Sequence, residues 1–130
     1  MPTDKTTVEG RFAYEGLDRV IHERARLSVL TSLVTNPRGL SFNELKRLCS
    51  LTDGNLSRHL AVLERDGIIQ IVKTRARKRP YTICRITEAG RKRYLEYLST
   101  LEQVVRDAAK VSERADRGIV AETALAPLRA

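Results

Sequence analysis

Apolar positions recur along the 130-residue chain in two rhythms, and the change between them divides it. Leu17, Val20 and Ile21 have helical spacing. Leu27, Leu30, Leu33 and Val34 follow at i, i+3, i+6 and i+7, one face of an amphipathic helix. Asn36-Pro37-Arg38-Gly39 ends it, because proline disfavours helical backbone in the residue before it and glycine tolerates a turn. Ser41-Phe42-Asn43-Glu44 is a capping box that opens a second helix of about two turns. Phe42, Leu45 and Leu48 are expected on its buried face. Thr52 is the N-cap of a third helix, with Asp53 in the first turn and Leu51 and Leu56 at the staple positions. Leu56, Leu60 and Leu63 form its core stripe, and Gly67 suits the left-handed position that closes it.

The second and third helices are joined by a short turn, as in a helix-turn-helix. The period then changes. Ile68-Ile69-Gln70-Ile71-Val72-Lys73 and Tyr81-Thr82-Ile83-Cys84-Arg85-Ile86 read as two strands, joined by the basic connector Thr74 to Pro80 into a hairpin. Thr87 caps a last long helix with Glu88 in its first turn. Tyr94, Leu95, Leu98, Leu101, Val105 and Ala108 repeat along it, and no break appears before Gly118. The expected organisation is a flexible arm over 1–10, a winged helix domain with a long C-terminal helix over 11–112, and a tail over 113–130. The fold class is mainly α with a small β-hairpin wing (α+β).

Composition adds little until the charge is placed. Hydrophobic residues make up 42% and charged residues 31%, ordinary for a globular domain. The longest apolar run is Leu60–Leu63, far short of a membrane span, and the N-terminus lacks the apolar core of a signal peptide. Two cysteines, Cys49 and Cys84, suit a reducing cytoplasm, so a cytoplasmic, nucleoid-associated protein is expected. Residues 73 to 93 hold nine basic residues and one acid, Glu88, an excess that equals the whole net charge of +8. Charge concentrated in one segment points to a polyanion, with nucleic acid the leading candidate.

The wheel of the third helix carries the sharper reading. Leu56, Leu60 and Leu63 point within about 30° of one direction. Gly54, Arg58, Ala61 and Arg65 lie opposite, with Asn55 and Val62 at one edge and Ser57 at the other. Arg58 suits bidentate bonding to guanine, Asn55 suits adenine or a phosphate, and Gly54 allows close backbone approach. Thr52, Ser57 and His59 are candidate phosphate contacts, although His59 lies beside the core stripe and Thr52 also caps the helix. Arg65 stands between two acids, so a solvated surface arginine is an equal reading. On the hairpin, Lys73, Arg75, Arg77, Lys78 and Arg79 are placed against the backbone or minor groove of DNA. No catalytic constellation is found, and Cys49 with Cys84 makes no metal site. No cofactor is expected.

The capped Ser41–Leu48 helix, the Asp53-Gly54-Asn55-Leu56-Ser57-Arg58-His59-Leu60 start and Leu63-Glu64-Arg65-Asp66-Gly67 follow one another in order. Arg79-Pro80 and the Ile86-Thr87-Glu88-Ala89-Gly90-Arg91 junction complete the set. Over about Phe12 to Val105 the chain resembles prokaryotic winged helix-turn-helix transcriptional regulators of the ArsR/MarR-like group. The resemblance implies a homodimer that binds operator DNA, usually as a repressor. Tyr94, Leu98, Leu101 and Val105 on the last helix, with Phe12, Tyr14, Leu17 and Ile21, are the expected dimer contacts. Some ArsR-like relatives carry two cysteines on the first helix of the motif; here only Cys49 is present, which speaks against metal sensing. The residues leave two further functions open: a sequence-tolerant, chromatin-like DNA binder, and a protein-interaction winged helix. An enzyme is not expected, and no effector can be read.

Overall fold

A computed structural model describes residues 8–76 and 79–123. The chain divides into two compact units, Glu15–Leu98 and a second made of Met1–Tyr14 with Ser99–Ala130. The first holds three helices, α1 (Arg24–Val34), α2 (Phe42–Cys49) and α3 (Asp53–Arg65), and three strands, β1 (Leu40–Ser41), β2 (Ile69–Ala76) and β3 (Arg79–Ile86). Helix α4 (Glu88–Thr123) begins in it and continues into the second.

Helix boundaries follow local chemistry. The Ser41 hydroxyl accepts from the Glu44 amide at 3.1 Å, and the Ser41 amide donates to the Glu44 carboxylate at 2.8 Å, a closed capping box. The Thr52 hydroxyl accepts from the Asn55 amide at 3.2 Å to start α3. Gly67, at φ +74°, ends it. There the Gly67 amide donates to Glu64 and the Ile68 amide to Leu63, the paired bonds of a Schellman motif. Helix α1 starts later than the apolar spacing suggests. Asp18 takes the amides of Val20 and Ile21, at 2.9 and 3.4 Å, and holds that stretch as turns until Glu23 caps the helix through the Arg26 amide.

The core of the Glu15–Leu98 unit is built from Ile21, Leu30, Leu33, Leu45, Leu56, Leu63, Ile68 and Cys84, all fully buried, closed by Tyr97. The tyrosine hydroxyls are satisfied within it: Tyr97 meets His22 Nδ1 at 2.6 Å and Tyr94 meets the Thr31 hydroxyl at 2.7 Å. Leu48 departs from expectation at 60% exposure. Positions three apart on a helix drift by about 60° per step, so of Phe42, Leu45 and Leu48 only the middle one faces inward.

The sheet has the antiparallel order β1-β3-β2. Strand β1 is only two residues long and carries no period that a sequence could show. The hairpin strands reach beyond the expected ones, with Arg75 opposite Pro80 and Ala76 opposite Arg79. Pro80 is tolerated because β1 pairs only with Ile83 and Cys84, leaving no strand on the other side of the proline. Thr87 caps α4 as expected, accepting from the Gly90 amide at 2.9 Å. Gly90 lies so close to the Ile68 carbonyl that a Cβ there would collide with it. The helix passes Gly118 without a break and runs to Thr123, farther than the weak apolar period suggests.

Candidate DNA-binding interface

Helix α3 presents two opposed faces. Leu56, Leu60 and Leu63 are buried, while Thr52, Gly54, Asn55, Ser57, Arg58, Ala61 and Arg65 are exposed. The exposed set contains the i, i+4, i+7, i+11 ridge of Gly54, Arg58, Ala61 and Arg65, the ridge expected to face a groove. Among the described residues, no carboxylate pairs with Arg58 or Arg65. Asp66, the neighbour of Arg65, is taken by Arg93 at 3.1 Å, and Arg93 also grips Asp18 at 2.8 Å. Burial alone would raise the Asp18 carboxyl, but the Arg93 guanidinium and the Val20 amide outweigh it and hold the pKa below the usual range. Arg93 is therefore a structural clamp rather than part of the free basic charge.

His59 corrects the expectation of a DNA contact. It is 8% exposed, on the inner side of α3. Its Nδ1 lies 3.3 Å from the Arg26 guanidinium and 3.8 Å from the Glu23 carboxylate, both at the start of α1. The rotation of about 100° per residue that exposes Arg58 turns its neighbour inward.

The hairpin register sorts the wing's charge. Residues that face each other across an antiparallel pair share one side of the sheet. Lys73 and Arg75 thus share a side with Thr82 and Pro80, while Arg79 lies on the other, with Tyr81 and Arg85. At the root, the first side carries Ile69 and Cys84 into the core, and Ile71 is half-buried. Beyond it, Lys73, Arg75 and Arg79 are exposed, and basic side chains stand on both sides of the hairpin. Arg77 and Lys78 lie outside the described residues.

The expected dimer contacts divide. Ile21 and Tyr94 are corrected to core residues of the Glu15–Leu98 unit, at 0% and 4% exposure. An apolar stripe on a helix marks burial without naming the partner. Leu17 and Leu98 are half-buried. In the other unit, Phe12 and Val105 are exposed and Leu101 is half-buried. Tyr14 there donates from its hydroxyl to Asp107 at 2.5 Å. The same carboxylate accepts two bonds from Arg11, at 3.0 and 2.9 Å, and one from Gln103 at 2.9 Å. The Arg11 guanidinium, and then the Tyr14 hydroxyl, hold its pKa well below the usual range. No spacing in the sequence connects Arg11 to a carboxylate 96 positions away.

The cysteines offer little chemistry. Burial, with the Glu64 charge adding to it, pushes the Cys84 thiol up to about 11. It therefore stays protonated and packs as a small apolar group. Among the described residues, no three His, Cys, Asp or Glu side chains group as a metal site, and no helix is long and apolar enough to cross a membrane.

Comparison with known proteins agrees with this fold. Residues 25–105 match the winged helix DNA-binding domain family. An uncharacterized protein of Methanocaldococcus jannaschii is 32% identical over 89 residues, which span 68% of this chain and 96% of that protein. Among solved structures, a transcriptional regulator homologue from Pyrococcus horikoshii OT3 superposes with a TM-score of 0.68 at 29% identity, covering 74% of this chain and 95% of that one. A protein from Enterococcus faecalis V583, assigned to the MarR family of transcriptional regulators, shares the fold with a TM-score of 0.63 at 23% identity, covering 88% and 96%. With the helix-turn-helix, the three-stranded sheet with its hairpin wing and the long last helix all in place, the chain belongs to the winged helix DNA-binding domain family and has the fold of its transcriptional regulators.

Proposed function

We propose that this protein is a sequence-specific, double-stranded-DNA-binding transcriptional repressor that acts as a homodimer. Helix α3 enters the major groove. There Arg58 and Asn55 read base edges, Gly54 allows close approach, and Thr52, Ser57 and Arg65 hold the flanking backbone. Lys73, Arg75, Arg77, Lys78 and Arg79 of the wing meet the adjacent backbone or minor groove. The observation that carries the reading is the ridge of Gly54, Arg58, Ala61 and Arg65, exposed and without an acidic partner among the described residues, opposite a buried leucine stripe. A protein-docking face would be apolar or acidic there.

Sequencing the duplexes that the purified protein selects from a random pool tests this. A two-fold symmetric consensus is expected, with half-sites about one helical turn apart or a multiple of it. Retention of the pool without enrichment would replace sequence-specific reading by sequence-tolerant binding driven by the wing.

A further inference from the structure

We propose that the Arg26–His59 hydrogen bond is a positioning contact that sets the rotation of α3 about its own axis, and so the direction in which Arg58 points. The inference rests on α3 being the reading helix. An arginine only donates, so the 3.3 Å contact from its guanidinium makes His59 Nδ1 the acceptor and places the ring proton on Nε2. Arg26 is itself anchored, since its Nε donates to the Val20 carbonyl at 2.5 Å. Glu23, the N-cap of α1, faces the same imidazole at 3.8 Å. A rigid fork at the start of α1 thus grips the one polar side chain on the inner face of α3. The leucines on that face fix how deep the helix lies, but apolar contacts are non-directional and resist rotation weakly. A hydrogen bond has a direction. Because His59 follows Arg58 directly, a rotation that breaks the inner bond swings the outer guanidinium off its base.

The test compares His59→Leu, which fills the buried space without an acceptor, with His59→Asn, whose amide oxygen can take the place of Nδ1. Each is measured against the selected consensus duplex and a random duplex of equal length. His59→Leu should keep wild-type helix content and lose about tenfold in consensus affinity, a part of what one bidentate base contact supplies, with random-duplex affinity unchanged. His59→Asn should restore consensus binding. Arg26→Ala should resemble His59→Leu, and the double variant should be no worse than either, as expected of two ends of one contact. Consensus binding by His59→Leu equal to wild type overturns the proposal while leaving sequence-specific reading intact. A wild-type protein that selects no consensus overturns both. Should His59→Leu fail to fold, imidazole ¹⁵N shifts of the wild-type protein decide. The Nε2–H tautomer, lost in Arg26→Ala, supports the contact, and the Nδ1–H tautomer overturns it.

Discussion

An arginine that no carboxylate pairs keeps its five donors for whatever meets it, and among the described residues Arg58 is in that position on the outer ridge of α3. Arg58→Ala should cost about 1–3 kcal/mol on the consensus duplex and little on random DNA. Titrations of both duplexes check this. Equal weakening on the two would make Arg58 a phosphate contact and move base reading to Asn55. At this scale the sequence was legible where neighbours lie within one helix. The leucines of α3 and the ridge opposite them follow from 3.6 residues per turn alone. It was illegible where a side chain's role depends on a distant partner. Asp66, beside Arg65, is taken by Arg93, and the burial of His59 comes with Arg26 of another helix.

Between elements, two kinds of electrostatics operate. On the wing, charges face solvent. Replacing Arg75, Arg77, Lys78 and Arg79 by Ala should weaken consensus and random DNA together. Each lost phosphate contact should reduce the log–log salt slope by about 0.9 in magnitude. A salt series on both duplexes measures it, and an unchanged slope would remove the wing from the interface. At the Arg93 clamp, charges hold the segment around Asp18 and the end of α3 together. The Asp18 pKa is lowered in the folded protein, so its ionised form stabilises the fold at pH above the ordinary carboxylate range. That contribution fades as pH falls through the lowered value. Asp18→Asn should therefore be less stable than wild type at pH 7, and urea midpoints of the two should converge in acid. The hairpin itself was legible from its β-branched run, as was the capping box of α2. Strand β1 was not, because two residues have no period and form a strand only when β3 is beside them. Nor was the full reach of the wing, since a basic run ending in proline resembles a loop until the missing third strand makes Pro80 harmless.

For the whole molecule, the proposed two-fold reading requires two copies. Light scattering at micromolar concentration should give twice the 14.7 kDa mass of one chain. A monomer mass would leave Phe12, Leu101 and Val105 without the partner proposed for them. Here the sequence was least informative, because Tyr94, on the same stripe as Val105, is buried in its own unit while Val105 is exposed. The architecture also has a consequence in time. The Ile68 carbonyl accepts from both the Thr87 amide, at 2.9 Å, and its hydroxyl, at 3.0 Å, and Gly90 packs against that carbonyl, while the Ile68 amide caps the end of α3. One residue, through its two flanking peptide groups, is thus the hinge pin for the end of α3, the start of β2 and the first turn of α4. Native-state hydrogen exchange should find the amides of Gly67, Ile68, Thr87 and Gly90 opening as a single event with one free energy. A signal that loosened the first turn of α4 would then reach the DNA-facing helix in the same step, with no intermediate in which one has yielded and the other has not.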